Sequence, residues 1–164
     1  MKSLNIFTRI TVSQAVSRRF WASMLIVGAS LTLTGPSYAQ TAIGQIKNVS
    51  GEAQILRDAQ VLSAAVGLAI RQEDVVRTGA DSALGMTFID NSTFSIGPNS
   101  EIALERFRFD TTTHEGIMEA NVKKGTLAVI SGKIVEKSPQ AMTLRTPSSI
   151  LGVRGTKFLV EVGE

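Results

Sequence analysis

The sequence predicts an all-β domain, because apolar residues recur with a period of two in short runs that turn residues separate. The clearest run places Leu84, Met86 and Phe88 on one side of a strand, and the alternation resumes over 93–96 after the polar triplet 90–92. This pattern predicts a β-hairpin with one shared buried cluster, which also takes in Phe94 and Ile96. The short strands are compatible with an elongated solenoid-like or taco-like coil, or with a flattened sandwich.

The rest of the chain from Thr41 repeats the same pattern more weakly. A polar hairpin tip is expected over 111–116, and the alanine-rich stretch 61–70 is expected to be an irregular connection, because it holds Gly67 and lacks a clear helix cap. Turns are expected near 57–58 and over 97–100. Further strands are expected within 43–49, 53–55, 102–109, 122–124, 127–130, 142–144 and 158–162.

The first 39 residues have the order of a secretory signal peptide. A basic segment precedes the apolar run 20–34, and Gly35-Pro36 and the small-x-small triplet Ser37-Tyr38-Ala39 follow. We expect cleavage after Ala39, which leaves a single β-domain over 40–164 in the periplasm. The apolar run is shorter than the roughly 20 residues that span a bilayer. An uncleaved anchor is the alternative, and only then would the chain associate with a membrane.

Charge and composition exclude several classes of function. From Gln40 onward there are 13 basic and 14 acidic residues, so the exported part is nearly neutral and lacks the basic surface that nucleic acids require. There is no cysteine, which excludes disulfides, thiolate metal sites and cysteine nucleophiles.

The remaining polar residues do not form a recognisable catalytic pattern. His114 is the only histidine and lies in a polar loop, and the carboxylates of Asp74, Asp81, Asp90 and Glu101 fall at predicted turns or strand ends. The serines lack a nucleophile elbow, and no glycine loop precedes a helix. We therefore expect no enzyme activity, no cofactor and no metal site.

Two segments carry a more specific signal. Residues 67–92 contain Gly-x-x-Ile-x-x-x-Asp, Thr-Gly-x-x-Ser and Asp-Asn-Ser blocks, and residues 146–158 contain Thr-Pro and Val-Arg-Gly-Thr-x-Phe. In this order the blocks resemble the FecR-like domain of bacterial periplasmic proteins, with Asn91 in place of the hairpin glycine, over roughly 43–162. The resemblance marks the following residues as structural or interaction residues: Asp74, Thr78, Gly79, Asp90, Thr146, Pro147, Arg154, Gly155 and Thr156.

The resemblance also implies a function. The best-known members of this family relay a signal from an outer-membrane receptor to a sigma factor, and they place a cytoplasmic anti-sigma domain and a membrane helix before the β-domain. Here only about 20 residues precede the apolar run, and the sequence stops at Glu164. We therefore expect a stand-alone, non-catalytic binding or interaction module with a protein partner in the envelope, either sensory or not. The alternatives are a component of transmembrane signalling with a separately encoded partner, and an envelope glycan-binding protein.

Two local expectations concern the C-terminal third. Gly152 and Gly155 would permit positive φ or close backbone approach, and Arg154 between them would serve as a structural clasp or as a ligand-binding group. Lysines at 123, 124, 133 and 137 surround the strand 127–130, which is typical of a protected sheet edge. We therefore expect that strand to be open to main-chain pairing, although a merely solvated face would carry the same lysines.

Overall fold

The computed structural model describes residues 41–153 and 155–163, and this part of the chain is all-β, as the sequence predicts. The predicted signal peptide and Arg154 lie outside the described residues. The elements are β1 (Ala42–Ser50), β2 (Ala53–Arg57), β3 (Gln60–Ser63), β4 (Ala69–Arg71), β5 (Val75–Thr78), β6 (Ala83–Phe88), β7 (Thr93–Ile96), β8 (Glu101–Phe109), β9 (Gly116–Ile130), α1 (Lys133–Lys137), β10 (Met142–Arg145), β11 (Ile150–Gly152) and β12 (Lys157–Val162).

The strands form one curled sheet in which β9 belongs to two halves. The order is β3-β2-β5-β8-β9-β7-β6-β1-β4, and β10 and β12 also pair with β9 while β11 pairs with β10. The beginning of β9 pairs with β8 and β10, and its end pairs with β7 and β12. We call β1, β4, β6, β7, β12 and the end of β9 the front half. The back half is β2, β3, β5, β8, β10, β11 and the beginning of β9.

The apolar core lies between the two halves. The predicted cluster is confirmed, since Leu84, Met86, Phe88, Phe94 and Ile96 are all buried. The ring of Phe88 meets Phe94 edge-to-face at 4.8 Å within the front half and stacks at 5.5 Å on Phe107 of β8 in the back half. Burying each such side chain stabilises the fold by roughly 1.5–3 kcal/mol.

The chain crosses between the halves at a row of glycine-containing corners. These corners are at Gly51, at Gly79, at 97–100 and at Gly125, where Gly51 and Gly125 have positive φ. Backbone hydrogen bonds join neighbouring corners: Gly79 N–H donates to the Glu52 carbonyl (2.9 Å) and Gly97 N–H donates to the Thr126 carbonyl (2.9 Å). We call this arrangement the corner row. It satisfies backbone groups that would otherwise be buried without partners.

Two predicted element assignments were wrong. The stretch 61–70 is not all irregular, because β3 continues the β2 hairpin and β4 pairs with β1; only 64–68 lacks strand structure. The segments 122–124 and 127–130 are one strand, since Gly125 at φ +86° bends β9 without ending it. In both cases pairing with distant strands overrides the local pattern.

The predicted sheet edge at 127–130 is also wrong. These residues pair with 93–96 of β7 on one side and with 157–160 of β12 on the other, so they lie inside the sheet. The lysine pattern has another cause at Lys123, whose ammonium binds Glu101 Oε1 at 2.8 Å. The helix α1 was not predicted, because five residues are too few to show a helical period.

Candidate functional site

Asp74 is a buried anchor of the back half. Its carboxylate accepts hydrogen bonds from Arg57 Nε and Nη2, both at 2.7 Å, and from the Arg71 N–H at 2.8 Å. Arg57 Nη2 also donates to the Ala69 carbonyl at 2.7 Å. The bond to Asp74 raises the pKa of Arg57. These contacts fix the passage from β4 to β5, so Asp74 holds the fold and does not face a ligand.

Thr78 and Gly79 belong to the corner row. The Thr78 hydroxyl donates to the Gly97 carbonyl at 2.7 Å and accepts the Ser100 N–H at 3.0 Å. Gly79 N–H is bound to the Glu52 carbonyl. The marked Thr-Gly pair therefore joins its own corner to the corners at Gly51 and at 97–100 through hydrogen bonds within the fold.

Asp90 organises the β6–β7 turn and the start of α1. Its carboxylate accepts the Ser92 N–H at 3.0 Å and the Ser92 hydroxyl at 2.7 Å, and that hydroxyl accepts the Gly132 N–H at 2.9 Å. The Asp90 carbonyl accepts the Lys133 N–H at 2.9 Å. Asn91 has a φ of +69°, which asparagine tolerates better than most residues, so its substitution for glycine keeps the turn.

The C-terminal marked residues lie at the surface instead. Thr146 and Pro147 belong to the turn between β10 and β11, in which the Thr146 N–H donates to the Ser149 carbonyl at 2.8 Å. Gly155 and Thr156 are exposed, and their carbonyls accept the Ser131 hydroxyl at 2.8 Å and the Ser131 N–H at 3.0 Å. Gly155 has the expected positive φ, at +140°. Arg154 is outside the described residues, so its role as a clasp or a ligand group stays a prediction.

These surface residues frame an apolar rim, which we call the C-terminal rim: the turn 146–149, β11 and β12. Ile150 is 71% exposed, Leu159 64% and Leu151 39%. A cleft of about 250 Å³ lies between β11 and β12, and a second of about 430 Å³ lies between the turn and the end of β12. Within the described chain, β11 pairs with β10 alone and β12 with β9 alone.

The sequence contains a signal for this rim that lies outside the family motifs. Ile150 and Leu151 are adjacent, and successive side chains of a strand point to opposite faces, so both cannot face one core. Leu159 similarly lies between Phe158 and Val160, which point inward. Apolar residues at both phases of the alternation therefore indicate an apolar outer surface.

The outer surface of β5, β8 and the beginning of β9 has a different character, because its charges neutralise one another. Glu101 binds Arg77 at 2.9 Å and Lys123 at 2.8 Å, and the hydrogen bond from Lys123 is the main reason that the pKa of Glu101 is lowered. Glu119 lies 3.4 Å from Arg106 and 3.9 Å from Arg145. A surface covered by such pairs is well solvated and offers little apolar area to a partner.

The remaining polar residues do not assemble into a reactive group in the part of the chain that the structure describes. His114 lies on the β8–β9 hairpin tip and stacks on Phe109 with ring centroids 6.0 Å apart. The nearby carboxylate of Asp110 accepts the Thr113 and Thr112 N–H groups, which lowers its pKa. Over 41–153 and 155–163 no three histidine or carboxylate side chains converge as metal ligands would. The same residues contain no helix with the length and apolar character needed to cross a bilayer.

The fold and the rim together define an all-β domain in which some marked residues form hydrogen bonds in the interior and others lie at the surface. Residues 74–164, more than half of the chain, match the family model described as FecR protein, and the chain belongs to the FecR family. The match begins at Asp74, so β1 to β4 precede it. Comparisons with curated proteins and with solved structures gave no match. Family membership points to a role in transmembrane signalling or sigma-factor regulation, and FecR proteins typically interact with protein partners.

Proposed function

We propose that this protein is an exported, non-catalytic contact module of FecR-type signalling, which binds a protein partner in the periplasm through the turn 146–149 and β11. The observation that carries the proposal is the exposure of Ile150 (71%) and Leu151 (39%) on an edge strand. Neighbouring exposed apolar side chains that form a patch mark interaction sites, whereas single exposed apolar residues are normal on a protein surface. The signal-peptide pattern of 1–39 supports export.

The different environments of the marked residues support this location of the contact surface. Asp74, Thr78, Gly79 and Asp90 have their hydrogen bonds satisfied inside the fold. The marked residues at 146, 147, 155 and 156 lie in the segments that directly precede β11 and β12. Because residues of the family motif lie in the turns beside this surface, it is the best candidate for the contact with a partner.

A glycan ligand has less support. Glycan sites commonly offer exposed aromatic faces for stacking, since aromatic rings supply a large apolar contact area. Within the described residues, Phe88, Phe94 and Phe107 are buried in the core, and Phe109 and Phe158 are half-buried. Family membership also favours a protein partner.

The proposal is tested by comparing transcripts in cells that lack the protein with those in cells that carry single variants. Ile150→Asp places a charge on β11 without disturbing the core, because the side chain is 71% exposed. Val61→Asp is the matched control, since Val61 is 62% exposed on β3, the edge of the back half at the other end of the strand order.

We expect Ile150→Asp to alter the same transcripts as loss of the protein, while Val61→Asp leaves them as in the wild type. Both variants should accumulate to wild-type levels in the periplasm. An unchanged transcript profile in cells that lack the protein would contradict a signalling role. Equal effects of the two variants would contradict the assigned surface.

A further inference from the structure

The second edge of the C-terminal rim, β12, has a pairing pattern that differs from that of β11. All six residues of β12 pair with β9, from Lys157 opposite Ile130 to Val162 opposite Gly125. No second neighbour of β12 exists among the strands that the structure describes. The outer side of β12 therefore presents main-chain groups that are available to another strand.

The register identifies those groups. Ser131 N–H donates to the Thr156 carbonyl directly opposite, so this pair is of the hydrogen-bonded type. Along an antiparallel ladder, hydrogen-bonded pairs of residues alternate with non-hydrogen-bonded pairs. Phe158, Val160 and Val162 therefore direct their main-chain groups toward β9, and Lys157, Leu159 and Glu161 direct theirs outward.

The pairing on the other side of β9 agrees with this assignment. Gly97 N–H donates to the opposite Thr126 carbonyl, so Thr126 and every second residue after it direct their main-chain groups toward β7. The main-chain groups of Leu127, Val129 and Ser131 therefore point toward β12. Both sides of β9 thus place the outward main-chain groups of β12 at 157, 159 and 161.

The side chains at these three positions are self-complementary. Lys157, Leu159 and Glu161 are all exposed. If a second β12 runs antiparallel with Leu159 opposite Leu159 of the second copy, each Lys157 faces a Glu161. All three outward residues are then in hydrogen-bonded pairs. One two-fold axis satisfies both copies, as an isologous interface requires.

We infer that a second copy of this chain pairs with β12 in this register, which joins the two front halves into one continuous sheet. A slip of two residues would place Leu159 opposite a charged residue and would leave a lysine and a glutamate without partners, so the charges select the register. The added strand also runs beside the 250 Å³ cleft between β11 and β12. This inference goes beyond the proposed function, because it needs no signalling partner and uses the other edge of the rim.

The test uses charge reversal in protein purified from the exported fraction, with the molecular mass measured by analytical ultracentrifugation over a range of concentrations. We expect the wild type to dimerise. Lys157→Glu places two glutamates opposite each other in each half of the interface, and Glu161→Lys places two lysines opposite each other, so each variant alone should be monomeric. An equimolar mixture of the two should recover a dimer, and so should the double variant with both reversals.

Lys47→Glu on β1 is the control, because Lys47 is exposed and lies outside the interface; it should dimerise like the wild type. Recovery in the mixture shows that the single variants are folded. A monomeric wild type at every concentration overturns the inference. A dimer that both single reversals leave intact also overturns it, because the contact would then use another face. Neither outcome bears on the signalling role, which the transcripts measure separately.

Discussion

The buried polar residues of this protein stabilise the fold through hydrogen bonds to other groups of the same chain. In the described residues, no buried side-chain nitrogen or oxygen lacks a partner. Asp74 and Asp90 are fully buried, and each binds groups on its own or neighbouring segments. Replacing such a group leaves its partners unsatisfied, which costs more than the bond itself contributes.

Asp74→Ala should strongly destabilise the domain. It removes the acceptor of Arg57, whose side chain is only 11% exposed, and of the Arg71 N–H. Breaking a buried ion pair on one side costs about 3–5 kcal/mol, because the remaining charge is uncompensated. Chemical denaturation measures the loss. A change below about 1 kcal/mol, the range of an exposed pair, would show that Asp74 does not anchor the fold.

Glu101 should contribute a pH-dependent part of the stability. Its pKa is lowered in the folded protein, chiefly by the hydrogen bond from Lys123, so the ionised form is favoured by folding. The stabilisation is complete above the unfolded pKa of about 4.3 and is lost as the pH falls through the folded value. The difference in unfolding free energy between wild type and Glu101→Gln should therefore shrink below about pH 4.3. A difference that stays constant from pH 7 to pH 3 would contradict this.

At the scale of residues, the sequence indicates candidate positions but not the groups to which their side chains bind. The marked positions come from the resemblance to the FecR family. Their roles depend on partners such as Arg57, which lies 17 residues before Asp74, and Gly132, which lies 40 residues after Ser92. No local pattern contains that information.

Among the elements, the corner row is the feature that converts short strands into a two-layered core. Turns at 97–100 and near Asp81 follow from local residue preferences. Their stacking does not, because the bonds from Gly79 to Glu52 and from Gly97 to Thr126 join segments about 27 and 29 residues apart. Local sequence also cannot show that 127–130 lies inside the sheet, because its neighbours β7 and β12 are separate segments on either side of it in the chain. The edge assignment was wrong for this reason.

Gly125→Ala should destabilise the protein more than Gly67→Ala. Both glycines have nearly the same φ, +86° and +85°, so the left-handed conformation costs each alanine about 1–2 kcal/mol. At Gly125 an added Cβ would also lie 2.5 Å from the Ser100 Cα, whereas at Gly67 no atom lies within 4 Å. The comparison of unfolding free energies isolates the close approach in the corner row. Equal losses in the two variants would show that the corners are not tightly packed.

For the whole molecule, the sequence predicts the all-β class and the family, and the structure adds the location of the exposed surface. The rim was not predicted, because the adjacent apolar residues Ile150 and Leu151 indicate an apolar outer surface but do not show which strands end the sheet. The family match and the rim together favour action by contact with a protein.

Export makes a separate prediction at this scale. The mature protein should begin at Gln40, because the triplet Ser37-Tyr38-Ala39 follows the helix-breaking Gly35-Pro36. Intact-mass measurement of the protein from the periplasmic fraction checks the first residue. A dominant full-length species in the membrane fraction would favour the uncleaved anchor.

The central claim, that this FecR-family protein acts by contact through β11, is tested most directly by photo-crosslinking in living cells. A photoreactive amino acid is placed at position 150, and in a second strain at position 61, which is 62% exposed against 71% and serves as the control. We expect a specific adduct with an envelope protein from position 150 and none from position 61. No adduct from position 150, or adducts of similar yield and identity from both positions, would contradict the account.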